Sequence, residues 1–95
     1  MSELDALTRD YRTTLLRYLP RHEEAALAQA YELGRRAVAS GVSLMDLLRI
    51  HHDILTEVLR DTPGEMVDIV SAASFVLAEM LAPYDLARRA FIEPR

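Results

Sequence analysis

The sequence contains no cysteine, which removes disulfides, thiolate metal sites and cysteine nucleophiles together. That absence is compatible with a cytoplasmic protein, the compartment expected here. Aromatic residues are scarce at 6%, while hydrophobic residues reach 51% and are rich in Leu and Ala, a balance that favours helices over sheet. A basic excess is also missing. The formal net charge is −4, and non-specific binding to nucleic acid needs a positive surface to replace phosphate counterions. Nucleic acid is therefore not an expected partner. The opening "MSELDALTRDY" carries acids where an export signal would carry a basic segment and an apolar run, so no signal is expected there. The longest apolar region, Met66 to Leu81, is broken by Asp68, Ser71, Ser74 and Glu79. It is shorter than the ~20 residues of a membrane span, and no membrane partner is expected. Internal repeats and low-complexity tracts are absent. What remains is one small packed domain over residues 1–95, with 27% charged residues.

Four periodic segments organise the chain. Leu4, Leu7, Tyr11, Leu15 and Tyr18 are spaced by threes and fours, as on one face of a helix, and Pro20 should stop that helix nearby. A second helix fits Glu23 to Ala39, with Leu27, Ala30, Tyr31, Gly34, Ala37 and Val38 on one stripe and Gly41 closing it. Gly34 in its interior points to close helix packing. Ser43 opens a third helix with Asp46 three residues on, and its apolar face reads Leu44, Leu47, Leu48, His51, Ile54, Leu55 and Val58. In "RDTPGE", Thr62 is a candidate N-cap, Pro63 a favoured first residue and Glu65 a reciprocal partner, so a fourth helix should begin near Pro63 and reach at least Ala82. Pro83 should kink or end it. The segment "YDLARRAFIE" after it is again helix-compatible, so residues 83–95 read as the start of a connector helix. The fold class is thus all-α, a four-helix bundle.

The fourth segment is apolar nearly all round: Val67, Ile69, Val70, Phe75, Val76, Leu77, Met80 and Leu81 cover more than one face. A domain this small cannot hide so much surface alone, which points to a homodimer or a partner-binding face.

The stretch "LLRIHHDIL" invites a chemical reading. Neighbouring helical residues point about 100° apart, so His51 and His52 cannot share one metal ion without leaving the helix. No second histidine stands at i+3 or i+4, and no metal or other cofactor is expected. No G-x-S-x-G, Gly-rich phosphate loop or paired-carboxylate motif occurs, which leaves no catalytic centre to nominate. The residues "DILTEV" after the doublet are unlike the surroundings of a phosphoacceptor histidine. The reading left is that His51 lies on the apolar stripe and donates to a core acceptor, while His52 and Asp53 face solvent. Arg35-Arg36 and Arg88-Arg89 also read as solvated. An alternative role is a ligand-sensing input domain of a histidine kinase or phosphatase, with a cavity near His51 and Tyr31.

"DYRTTLLRYL", then "AYELGRRAVASGVS" running into "LLRIHHDIL", and "LAEMLAPYDLARRAF" together resemble the N-terminal domain of the RsbU family of PP2C-type phosphatases, over nearly the whole chain. The resemblance implies a non-enzymatic helical dimer, related in fold to the C-terminal domain of the circadian protein KaiA. It implies a docking platform for an RsbT-like switch kinase, whose binding activates an attached phosphatase in a stress-response pathway governing a sigma factor. Carried over by position, the docking patch would be Glu24 and Ala28 on the second helix with Leu77 and Leu81 on the fourth. Ala28 departs from the family pattern, which has an aromatic there.

Overall fold

The computed structural model describes residues 2–92, and every regular element among them is an α-helix: α1 (Glu3–Arg21), α2 (Glu24–Ala39), α3 (Leu44–Asp61) and α4 (Met66–Ile92). The expected four-helix bundle is what forms. Helix α1 starts on a capping box in which Ser2 Oγ accepts from the Asp5 amide at 3.1 Å and Asp5 accepts from the Ser2 amide at 3.4 Å. It ends one residue past Pro20, where His22 takes the left-handed conformation with its ring stacked on Tyr18. Helix α2 closes in a Schellman turn: the Val42 amide bonds the Ala37 carbonyl at 3.0 Å, the Gly41 amide bonds Val38 at 3.1 Å, and Gly41 sits at φ 74°. Ser43 then caps α3 through the Asp46 amide at 3.0 Å.

Two boundaries differ from the sequence reading. Helix α4 begins at Met66 rather than near Pro63, because Gly64 adopts φ 144°, a conformation outside any right-handed helix. Thr62 serves the preceding helix instead, its amide bonding the Val58 carbonyl at 2.8 Å. At the other end, α4 neither stops nor breaks at Pro83 but continues to Ile92. Proline's missing amide leaves only the Glu79 carbonyl without its helical partner, and the buried ring packs against α2. The stretch expected to form a connector is thus the last part of α4, with residues 93–95 outside the described residues.

Each helix turns one stripe to a common core. Leu7, Tyr11, Leu15 and Tyr18 come from α1, Leu47, Ile50, Ile54 and Val58 from α3, and Ile69, Val76 and Met80 from α4. Helix α2 contributes mainly alanines, at 26, 30 and 37, and this small-residue stripe lets α4 approach its backbone. The contact is closest at Gly34, where an added Cβ would overlap the Met80 carbonyl oxygen and stand 3.0 Å from Pro83 Cγ. The two helices run parallel: Gly34 meets Met80 and Pro83, and Val42, farther along, meets Tyr84.

Polar ties sit at the rims. Arg12 of α1 holds Glu57 of α3 through two bonds of 2.7 and 3.1 Å. Arg36 of α2 reaches Asp10 at 2.9 Å and Glu3 at 3.2 Å on α1, so it is a cross-helix tie rather than the free solvated group its sequence context suggested.

Candidate partner-docking surface

Helix α4 presents more apolar surface than the bundle covers. Ile69, Ala72, Ala73, Val76, Met80 and Pro83 form its buried face. Away from that stripe Val67 is 75% exposed, Met66 at the helix start 66% and Phe75 61%, with Val70 half-exposed. Ser71, Ser74 and Ala78 fill the gaps in this outer face, and from Ile69 to Tyr84 the only charged residue is Glu79. A face of mostly small and apolar side chains with few charges gives little resistance to desolvation, which is the requirement for the centre of a protein interface. Its apolar surplus was visible in the sequence, but the exposed residues Val67, Val70 and Phe75 were not among those carried over as docking positions. The signal that singles them out is their phase, away from the buried stripe.

The carried-over residues fall on two neighbouring helices. Glu24 and Ala28 are exposed and one turn apart on α2. Leu77 and Leu81 are one turn apart on α4, partly exposed and partly packed against the core. Measured from the Gly34–Met80 crossing, Ala28 lies about 9 Å and Glu24 about 15 Å back along α2, while Leu77 and Leu81 lie within about 5 Å of it on α4. The four therefore span roughly three turns of the parallel pair. Ala28 adds almost no area there, and the larger apolar groups are on α4.

Two grooves among the described residues lie elsewhere than the cavity expected near His51 and Tyr31. One, of about 620 Å³, runs between α1 and α2 over Thr14 and Leu33, with Asp10, Glu32, Arg35 and Arg36 on its walls. The other, of about 400 Å³, lies at the end of the bundle between Leu16, Pro20, Pro63 and Ile69. His51 is occupied by a hydrogen bond with Tyr11, and His52 is exposed. Among the described residues no cluster of three or more His, Asp or Glu has the geometry to hold a metal ion.

The family profile of the N-terminal domain of the phosphoserine phosphatase RsbU matches residues 9–87. The chain belongs to this family. No curated protein and no solved structure matches it. The RsbU match begins within α1, takes in all of α2 and α3, and ends one turn beyond Tyr84, where α4 leaves the bundle. Membership makes the chain a regulatory domain of the RsbU phosphatase type and not the part that performs catalysis. One correction concerns length. Because α4 runs through Pro83, its segment Met66–Arg89 is long and apolar enough to cross a membrane by length and composition, as the sequence reading did not expect. The core helix of a bundle meets the same criterion, and here the inner face of α4 closes the core of an RsbU-type domain.

Proposed function

We propose that this RsbU-type domain is a cytoplasmic, non-catalytic docking module of a bacterial stress-response regulator. It forms a homodimer and binds an RsbT-like switch kinase, and that binding activates an attached PP2C-type phosphatase. The observation that carries the reading is the charge-poor outer face of α4, with Val67 and Val70 exposed beside Leu77 and Leu81 and Phe75 exposed on the other flank. Family membership supplies the kind of partner. Glu24 and Ala28 on α2, carried over from the family pattern, extend the patch, with Glu24 as a charged group that selects the partner's orientation more than it adds affinity.

The decisive measurement is titration calorimetry of the domain with an RsbT-like kinase, paired with sedimentation of the domain alone at tens of micromolar. The expected outcome is a dimer that binds the kinase, with Leu81→Asp weakening binding by tenfold or more, about 1.4 kcal/mol. A strict monomer removes the dimer from the proposal. Unchanged binding by Leu81→Asp removes the patch.

A further inference from the structure

Helix α4 leaves the bundle abruptly. The buried stripe Ile69, Ala73, Val76, Met80, Pro83 would next place Ala87 inward, yet Ala87 is exposed, as are Asp85, Leu86, Arg88 and Arg89. Among the described side chains, support from the other helices ends at Tyr84. The turn just before the exit is also the weakest of the helix, since Pro83 has no amide for the Glu79 carbonyl, and helices bend at such gaps. A helix interrupted at one residue and unsupported beyond the next would swing unless something held its root.

Two contacts hold it. The Pro83 ring sits in the notch left by the missing side chain of Gly34, 3.0 Å from where a Cβ would stand. The Tyr84 hydroxyl donates to the Val42 carbonyl at 2.5 Å, with the ring packed partly against the core. The acceptor is itself fixed, because the Val42 amide is tied back to the Ala37 carbonyl at 3.0 Å by the Schellman turn that ends α2. Burial, with Asp46 nearby, raises the Tyr84 pKa and keeps its hydroxyl protonated as a donor.

We propose that the Tyr84–Val42 bond is a clamp that sets the direction in which α4 leaves the bundle across the weak turn at Pro83. The clamp ties that direction to the turn at residues 40–43. Displacement of the turn re-aims the projecting segment, and loss of the Tyr84 bond frees it to bend at Pro83. This goes beyond the docking reading and does not depend on it, since the clamp lies within one chain and is tested without a partner.

The cysteine-free sequence permits the direct test. Spin labels on cysteines introduced at exposed Ala25 and Ala87 report the distance between α2 and the projecting segment. With the native Tyr84 the distance distribution is narrow. Tyr84→Phe keeps the ring and removes only the hydroxyl, and it broadens the distribution while speeding amide exchange at residues 85–89 by roughly three- to tenfold, the scale of one hydrogen bond. Adding Pro83→Ala to Tyr84→Phe restores a donor to the Glu79 carbonyl and narrows the distribution again. Pro83→Ala alone, a second variant with the Tyr84 bond intact, stays narrow. A Tyr84→Phe chain with unchanged distribution and exchange overturns the clamp. A distribution that Pro83→Ala does not narrow overturns the hinge at Pro83.

Discussion

The hydroxyl of Tyr11 lies 2.6 Å from Nδ1 of His51, joining α1 to α3 across 40 residues of chain. Tyr11 is fully buried, and burial raises its pKa, so the phenol keeps its proton. Burial lowers the pKa of His51, with the neighbouring His52 adding to the effect, so the imidazole is neutral. The bond is therefore assigned as Tyr11 donating to Nδ1, with the ring proton on Nε2. His51 accepts where the sequence suggested it would donate. The two rings meet edge-on, with centroids 6.0 Å apart.

Tyr11→Phe should lower the unfolding free energy by about 1 kcal/mol at pH 7, the net worth of one hydrogen bond, as read from urea denaturation. The pH dependence has a definite sign. A histidine whose folded pKa lies below the ordinary 6.5 contributes stability that is fully present above that value and lost as the pH falls through the folded one. The melting temperature should drop on acidification from pH 7 towards pH 5, and His51→Gln should flatten that part of the profile.

Gly34→Ala should destabilise although alanine is the better helix former by about 1 kcal/mol. The new methyl meets the Met80 carbonyl, which is backbone and cannot rotate away. Separating α2 from α4 to admit it should cost about 1–3 kcal/mol net, as for other overpacked cores. A rise in melting temperature would show that the helices separate more easily than this contact implies.

Two adjacent residues of α4 should behave oppositely. Val76 is wholly buried, and Val76→Ala should cost about 2–3 kcal/mol in lost burial and residual cavity. Phe75 is mostly exposed, and Phe75→Ser should change the stability of the isolated domain by no more than about 0.5 kcal/mol. If both cost several kcal/mol in dilute solution, the outer face of α4 is covered within the folded unit.

Acid should loosen the joint between α1 and α2. The hydrogen bond from Arg36 holds the Asp10 carboxyl below its ordinary 3.8 against a smaller opposing effect of burial. That contribution is fully present above pH ~4 and is lost as pH falls through the depressed folded value. Asp10→Asn should therefore weaken the acid limb of a denaturation-midpoint profile between pH 4 and 2.

The first three helices were legible because each carries a period of threes and fours, the fourth as a long apolar run, and Gly34 marked close packing before its partner was known. The start of α4 was not, because "TPG" offers both a cap and a turn, and only the φ of Gly64 decides between them. Pro83 does not end the helix, which sequence could not show because it displays the lost amide but not the notch at Gly34 that seats the ring. Arg36 looked solvated for a related reason: its partners Glu3 and Asp10 stand 33 and 26 residues away. The outer face of α4 could be inferred as surplus apolar area, but its phase needed the packed helix. Glu24, Ala28, Leu77 and Leu81 were legible only through family resemblance, since no local pattern distinguishes them.

The parallel pairing of α2 with α4 has a consequence for how the domain assembles. Parallel neighbours cannot be consecutive through a short turn, so the joint at Gly34 and Met80 closes only after α3 has carried the chain back along the bundle. Neither the first two helices nor the last two contain both sides of that joint. No consecutive pair can therefore persist as an independent folded subunit, and unfolding should be a single cooperative transition, with fluorescence, circular dichroism and calorimetry giving one midpoint.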